Sequence, residues 1–169
     1  MGFFSNLFNK KEQKATVKKR DLLSIEVGDI IEYDLADYEV VGKIAYQEGN
    51  YKWYSYQLLG ESKNIWLAAE MDDKLELGIY ETISIPLADD FPKEIVFNNT
   101  TYFLDESGHA QIKGGEGRSS SLTGQQIHYA EYCDKEEQSF ISIEEWNSDV
   151  EVSIGYPIES FEIKIIAGS

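Results

Sequence analysis

From Ser24 onward the chain is written in short runs where apolar and polar residues alternate, cut at close intervals by turn formers, and nowhere does an apolar stripe recur at helical spacing. That pattern excludes a helical bundle and predicts antiparallel sheet. Phe161, Ile163 and Ile165 alternate with Glu162 and Lys164, and Ile83, Ile85 and Leu87 alternate with Ser84 and Pro86. Each run reads as a strand with one buried face. Turn signals at Glu48-Gly49-Asn50, Gly60 to Asn64, Asp72-Asp73, Asn98-Asn99, Asp134 to Glu137 and Asn147-Ser148-Asp149 predict hairpins between the runs.

The alternation also repeats itself. Ile31-Glu32-Tyr33 followed by Tyr38-Glu39-Val40 matches Ile95-Val96-Phe97 followed by Tyr102-Phe103-Leu104 at a constant offset of 64. The offset grows to 74 where Trp66 to Glu70 matches Phe140 to Glu144, so ten extra residues fall in the second half. The Gly/Ser-rich stretch Gly114 to Gly124 is the obvious place for them and reads as a mobile loop. The expected fold is all-β: two related antiparallel β units, 24–90 and 91–169, packed with a pseudo-twofold relation as a small barrel or sandwich.

The ordered set Gly28-Asp29-Ile30-Ile31, Val41-Gly42-Lys43-Ile44, Trp53 to Leu59, Trp66-Leu67, Tyr129-Ala130-Glu131-Tyr132, Ser142 to Trp146 and Gly155-Tyr156-Pro157 resembles the bacterial family catalogued as domain of unknown function 4178. The likeness runs from about Ser24 to Ile166 and departs at Tyr56, where a second Trp is expected. It implies a mostly β domain with no established activity, and a link to membrane-associated systems. It supplies no catalytic residues.

Charge divides the molecule. Residues 1–20 hold Lys10, Lys11, Lys14, Lys18, Lys19 and Arg20 against Glu12, for +5, while the remainder carries −21. A body that acidic repels phosphate backbones, so no nucleic-acid partner is expected unless the tail alone binds it; it favours a basic protein or a small cationic ligand such as a polyamine. Phe3, Phe4, Leu7 and Phe8 share one face of a helical wheel, predicting a short amphipathic helix in a basic tail, residues 1–23. Burying those side chains contributes about 6 to 12 kcal/mol, which ordering about eight residues roughly cancels. The lysines and Arg20 then decide, and the expectation is weak, salt-sensitive attachment to the inner membrane face, or to a membrane protein. Docking of Phe3 to Phe8 on the protein's own sheet or on a partner, with Lys10 to Arg20 as a solvated linker, is the competing expectation. The longest apolar run, Ile65 to Ala69, is far short of a span, and the single Cys133 fits a cytoplasmic location.

Aromatic residues supply the candidate ligand platform: Tyr51, Trp53, Tyr54, Tyr56 and Trp66 in the first unit, and Tyr129, Tyr132 and Trp146 in the second. Alternation sends Trp53 to the face opposite Tyr54 and Tyr56. The expected function is noncatalytic binding or scaffolding, without cofactor or metal; His128 and Glu131, three apart on a strand, face opposite ways. The alternative is a small hydrolase or transferase using the repeat-related pair Glu70 and Glu144 beside an aromatic cleft. Their ordinary reading is as exposed strand-end acids.

Overall fold

The computed structural model describes residues 20–87 and 90–168. Eleven strands form one antiparallel sheet. They are β1 (Ile30–Tyr33), β2 (Ala36–Glu48), β3 (Tyr51–Gly60), β4 (Asn64–Met71), β5 (Leu75–Ile83), β6 (Glu94–Phe97), β7 (Thr100–Gly117), β8 (Gln126–Cys133), β9 (Phe140–Trp146), β10 (Asp149–Ile158) and β11 (Ile163–Ile166). Among the described residues there is no α-helix, only 3-10 turns at Ser120–Leu122 and Ser160–Glu162. The expected N-terminal helix lies outside the described residues.

The turns fall where their residues allow. Asn98, Asn99, Asn147 and Gly49 all adopt positive φ, as tight hairpin turns require. Meanders β2 to β5 and β7 to β10 are then joined at both sides. Gly42–Gln47 of β2 pair with Gln111–Gly117 of β7, and Leu77–Ile83 of β5 pair with Val152–Ile158 of β10. The result is a closed eight-stranded barrel in the order β2-β3-β4-β5-β10-β9-β8-β7, with β1, β11 and β6 flanking it. Closure settles the choice between barrel and sandwich and removes the open edges of the central sheet.

The Gly-rich stretch corrects a sequence expectation. Gly114 to Gly117 end β7 and seal it against β2, so they are ladder and not loop. The following 3-10 turn folds back tightly enough that a Cβ on Gly115 would run into the backbone carbonyl of Ser119, while the Gly115 N–H donates to Thr123 Oγ1 at 2.9 Å. Glycine is there for close approach.

Each face of the barrel wall has its own packing. Outside, Ile31, Tyr38, Val40, Tyr56, Leu58, Ile65 and Leu67 form one core under Leu22, Leu23, Ile25, Ile163 and Ile165. A second outer core, Tyr102, Ala130, Tyr132, Ile141, Ile143 and Val152, lies under Ile83, Ile85, Leu87, Phe91 and Ile95. A third cluster, Ile44, Tyr46, Ala110, Ile112, Ile127, Tyr129 and Trp146, occupies the opposite face. That face points to the barrel axis, because Tyr46 on β2 reaches Glu144 on β9, a strand that is not its neighbour.

A buried carboxylate ties Arg20 to Gly168. Asp29, 1% exposed, accepts hydrogen bonds at Oδ2 from Arg20 Nε (3.0 Å) and the Glu26 N–H (2.8 Å), and at Oδ1 from the Gly168 N–H (2.8 Å). Arg20 also pairs with Glu26 at 2.5 Å. Arg20 is therefore not a lipid-facing cation as expected: a buried carboxylate requires a partner and draws it into the body.

Candidate functional site

Directly opposed residues of an antiparallel pair share a face, so the register defines the inner wall. Tyr46 lies opposite Trp53, Trp53 opposite Glu70, and Trp66 opposite both Gln57 and Tyr80. Across the second seam Tyr80 lies opposite Gly155, whose missing side chain leaves room for the tyrosine ring; a Cβ there would run into it. Ser153 then opposes Ser142, Ser142 opposes Glu131, Glu144 opposes Tyr129, and Glu131 opposes Glu106.

Tyr46 stacks on Trp53 (centroids 5.2 Å, 4° between planes), and Trp53 meets Tyr129 edge-on at 5.7 Å. Beside these rings stand the carboxyls. Tyr46 Oη donates to Glu144 Oε1 at 3.1 Å and Trp146 Nε1 to Glu144 Oε2 at 3.2 Å. Ser142 Oγ donates to Glu131 Oε1 at 2.7 Å. The Tyr129 hydroxyl donates to Glu48, with Glu106 Oε1 at 3.4 Å. Among the described residues no Lys, Arg or His occupies an inward register position. Among the described residues no cation pairs with Glu48, Glu70, Glu106, Glu131, Glu144 or Glu151.

Enclosure without a cation has a clear electrostatic result. Burial pushes the Glu131 carboxyl up to about 8, reinforced by Glu144, Glu106 and Glu70 and opposed by the Ser142 hydrogen bond. Burial likewise pushes Glu144 up to about 7, aided by Glu151 and opposed by Tyr46 and Trp146. Glu70 is raised by burial and then by Glu76 and Glu106. The Tyr80 hydroxyl is raised by burial and by Glu131, Glu70 and Glu144. Glu131 and Glu144 point to the barrel axis and remain half-buried by solvent exposure. No group of three His, Cys, Asp or Glu among the described residues is arranged to hold a metal ion.

Of the aromatic candidates, Trp53, Trp66, Tyr129 and Trp146 meet on this wall, and exposed Tyr51 continues it. Tyr54 and Tyr56 face outward, where Lys43 Nζ sits 5.3 and 5.7 Å from their rings. Tyr132 is buried in the second outer core, its hydroxyl on the Pro92 carbonyl at 2.7 Å. Glu70 and Glu144 hold inward positions, so the reading of Glu144 as an exposed strand-end acid gives way to an enclosed, doubly hydrogen-bonded one. Sequence reasoning missed Glu131, Tyr80 and Tyr46; the available signal was Glu131 between the apolar Ala130 and Tyr132. Phe3, Phe4, Leu7, Phe8, Lys10, Lys11, Lys14, Lys18 and Lys19 lie outside the described residues. No helix of the described chain is long and apolar enough to cross a membrane.

A family model described as "Domain of unknown function (DUF4178)" matches residues 26–160. Uncharacterized proteins of Mycobacterium bovis and Mycobacterium tuberculosis are each 26% identical over 145 residues, covering 82% of this chain and 69% of the relative. No solved structure matches.

Proposed function

The chain belongs to the DUF4178 family, a family defined without an activity, and from the geometry of its inner wall we propose that it is a noncatalytic binding module that takes a small organic cation of the polyamine type into the barrel. The observation that carries this reading is the wall itself: Glu131 and Glu144 are enclosed beside Trp53, Tyr46 and Tyr80, with no cation of the described residues inward. An ammonium group would relieve the repulsion among the carboxyls and meet the ring faces favourably, at about 0.5 to 2 kcal/mol per ring. Aromatic walls with few polar anchors are the usual make-up of small-molecule sites.

Isothermal titration of the full-length chain with spermidine at low salt tests the proposal. Binding that weakens at least tenfold in Glu131→Gln and Glu144→Gln, but not in the outward-facing Glu145→Gln, supports it. No saturable heat, or equal loss in all three variants, overturns it.

The same reading places the protein in the cytoplasm and gives residues 1–19 the role of reversible attachment to an anionic bilayer or to a membrane protein, supported by their lysines and the Phe3 to Phe8 cluster. Flotation with anionic liposomes, lost on deleting residues 1–19, is the test. It also treats 24–90 and 91–169 as related units; the offset of 64 and the matching hairpin runs β1 to β5 and β6 to β10 support that view.

One observation favours a hydrolase or transferase instead. Glu70 and Glu144 share the wall, and a carboxyl poised near neutrality suits proton transfer. Hydrolysis of nitrophenyl esters or glycosides above the buffer rate, abolished in Glu144→Gln, would move the assignment there.

A further inference from the structure

The β1–β2 turn carries a side chain out of keeping with its backbone. Leu35 has φ of 62° and is 100% exposed. Asn99, with the same φ in the β6–β7 turn, is a residue type that tolerates this conformation, whereas a leucine there accepts backbone strain and meets only water. Phe161, 85% exposed, faces the same open groove, which Glu32, Asp34, Glu162 and Lys164 rim. A second groove on the other side of Leu35 is rimmed by Asp37 and Glu61. Lys164 is already turned to Glu32 at 3.7 Å. The surface is an apolar pair inside an acidic border, wrong for an anionic bilayer and right for a segment that is both greasy and basic.

We propose that this groove receives residues 1–19 of the same chain, with Phe3, Phe4, Leu7 and Phe8 against Leu35 and Phe161 and the lysines facing Glu32, Asp34 and Glu162. Residues 1–19 contain five lysines and one acid, so the charges are complementary. The tether is short enough. Arg20 is clamped to Asp29, one residue before β1 begins, and β1 runs about 13 Å to the turn, against a reach of up to ~60 Å for a 19-residue segment. Tethering also raises the local concentration of the segment to about the millimolar range, so a weak contact suffices. The groove does not depend on the amine reading. It shares with the proposed function only the segment itself, which cannot occupy groove and lipid at once.

Limited trypsinolysis of the folded full-length protein, read by mass spectrometry as cleavage after Lys10, Lys11, Lys14, Lys18 and Lys19, tests docking. Leu35→Asn with Phe161→Ser removes the two apolar side chains without adding charge, and both positions are exposed. Cleavage about tenfold faster in that variant, with the native protein accelerated towards it in about 0.5 M salt, is the expected result; equal rates at low salt overturn the proposal. A photoreactive residue at position 7 supplies a second readout, expected to cross-link to residues 32–37 or 161–164, and cross-links confined elsewhere also overturn it. Flotation separates the two readings. Stronger flotation of the variant supports competition between groove and lipid, whereas no flotation of either protein alongside slow native cleavage sinks membrane attachment and keeps the groove.

Discussion

Replacing Glu131 by Gln keeps the shape and the contact with Ser142 and removes the titration. In the folded protein this carboxyl holds its proton up to about 8, against 4.5 for an ordinary glutamate. Between those values the folded chain keeps a proton that the unfolded chain has shed. The raised value therefore contributes stability below about pH 4.5 that is lost as pH climbs towards 8. The full interval corresponds to about 5 kcal/mol. Glu131 keeps partial solvent exposure, which screens part of it and leaves about 2 to 3 kcal/mol as the working figure. Urea unfolding of the native protein and of E131Q at pH 5 and pH 8.5 measures the effect. The variant should match the native protein at pH 5 and exceed it by that margin at pH 8.5. An equal gap at both pH values, or a less stable variant at pH 8.5, would refute the reasoning, since either outcome means that the carboxyl ionises without cost. The stabilised variant should also bind amines poorly, because the electrostatic tension it removes is the source of the proposed affinity.

Asp29→Ala removes the acceptor shared by Arg20, the Glu26 N–H and the Gly168 N–H, while Arg20 keeps Glu26, and should lower unfolding free energy by about 1 to 3 kcal/mol, readable in the same urea titration. The buried Tyr56 hydroxyl has no well-formed hydrogen bond, only the Ile25 backbone nearby, so Tyr56→Phe should shift the melting temperature by no more than a few degrees in either direction. Gly115→Ala forces apart the 3-10 turn and the end of β7, and should cost about 1 to 3 kcal/mol while increasing amide exchange along the β2–β7 seam.

Local features of the fold were legible because local chemistry sets them. The Asn98-Asn99 turn, the hairpins and the opposite facing of Trp53 and Tyr54 all follow from residue type and the two-residue period. The meaning of the second face was not legible. Glu131 between Ala130 and Tyr132, and Ser142 and Glu144 around Ile143, alternate just as they would on a sheet with one side in water. Whether that polar side faces solvent or a lumen depends on the β2–β7 and β5–β10 seams, which join residues far apart in the chain. The ladder role of Gly114 to Gly117 was hidden for the same reason: glycine marks a flexible loop and a close strand approach alike, and only Ser119 folding back over the ladder distinguishes them.

The clasp at Asp29 brings Arg20 and Gly168 to one pole of the barrel. A short linker between those two residues should therefore allow circular permutation, with new termini opened in a distant hairpin such as Asn98-Asn99.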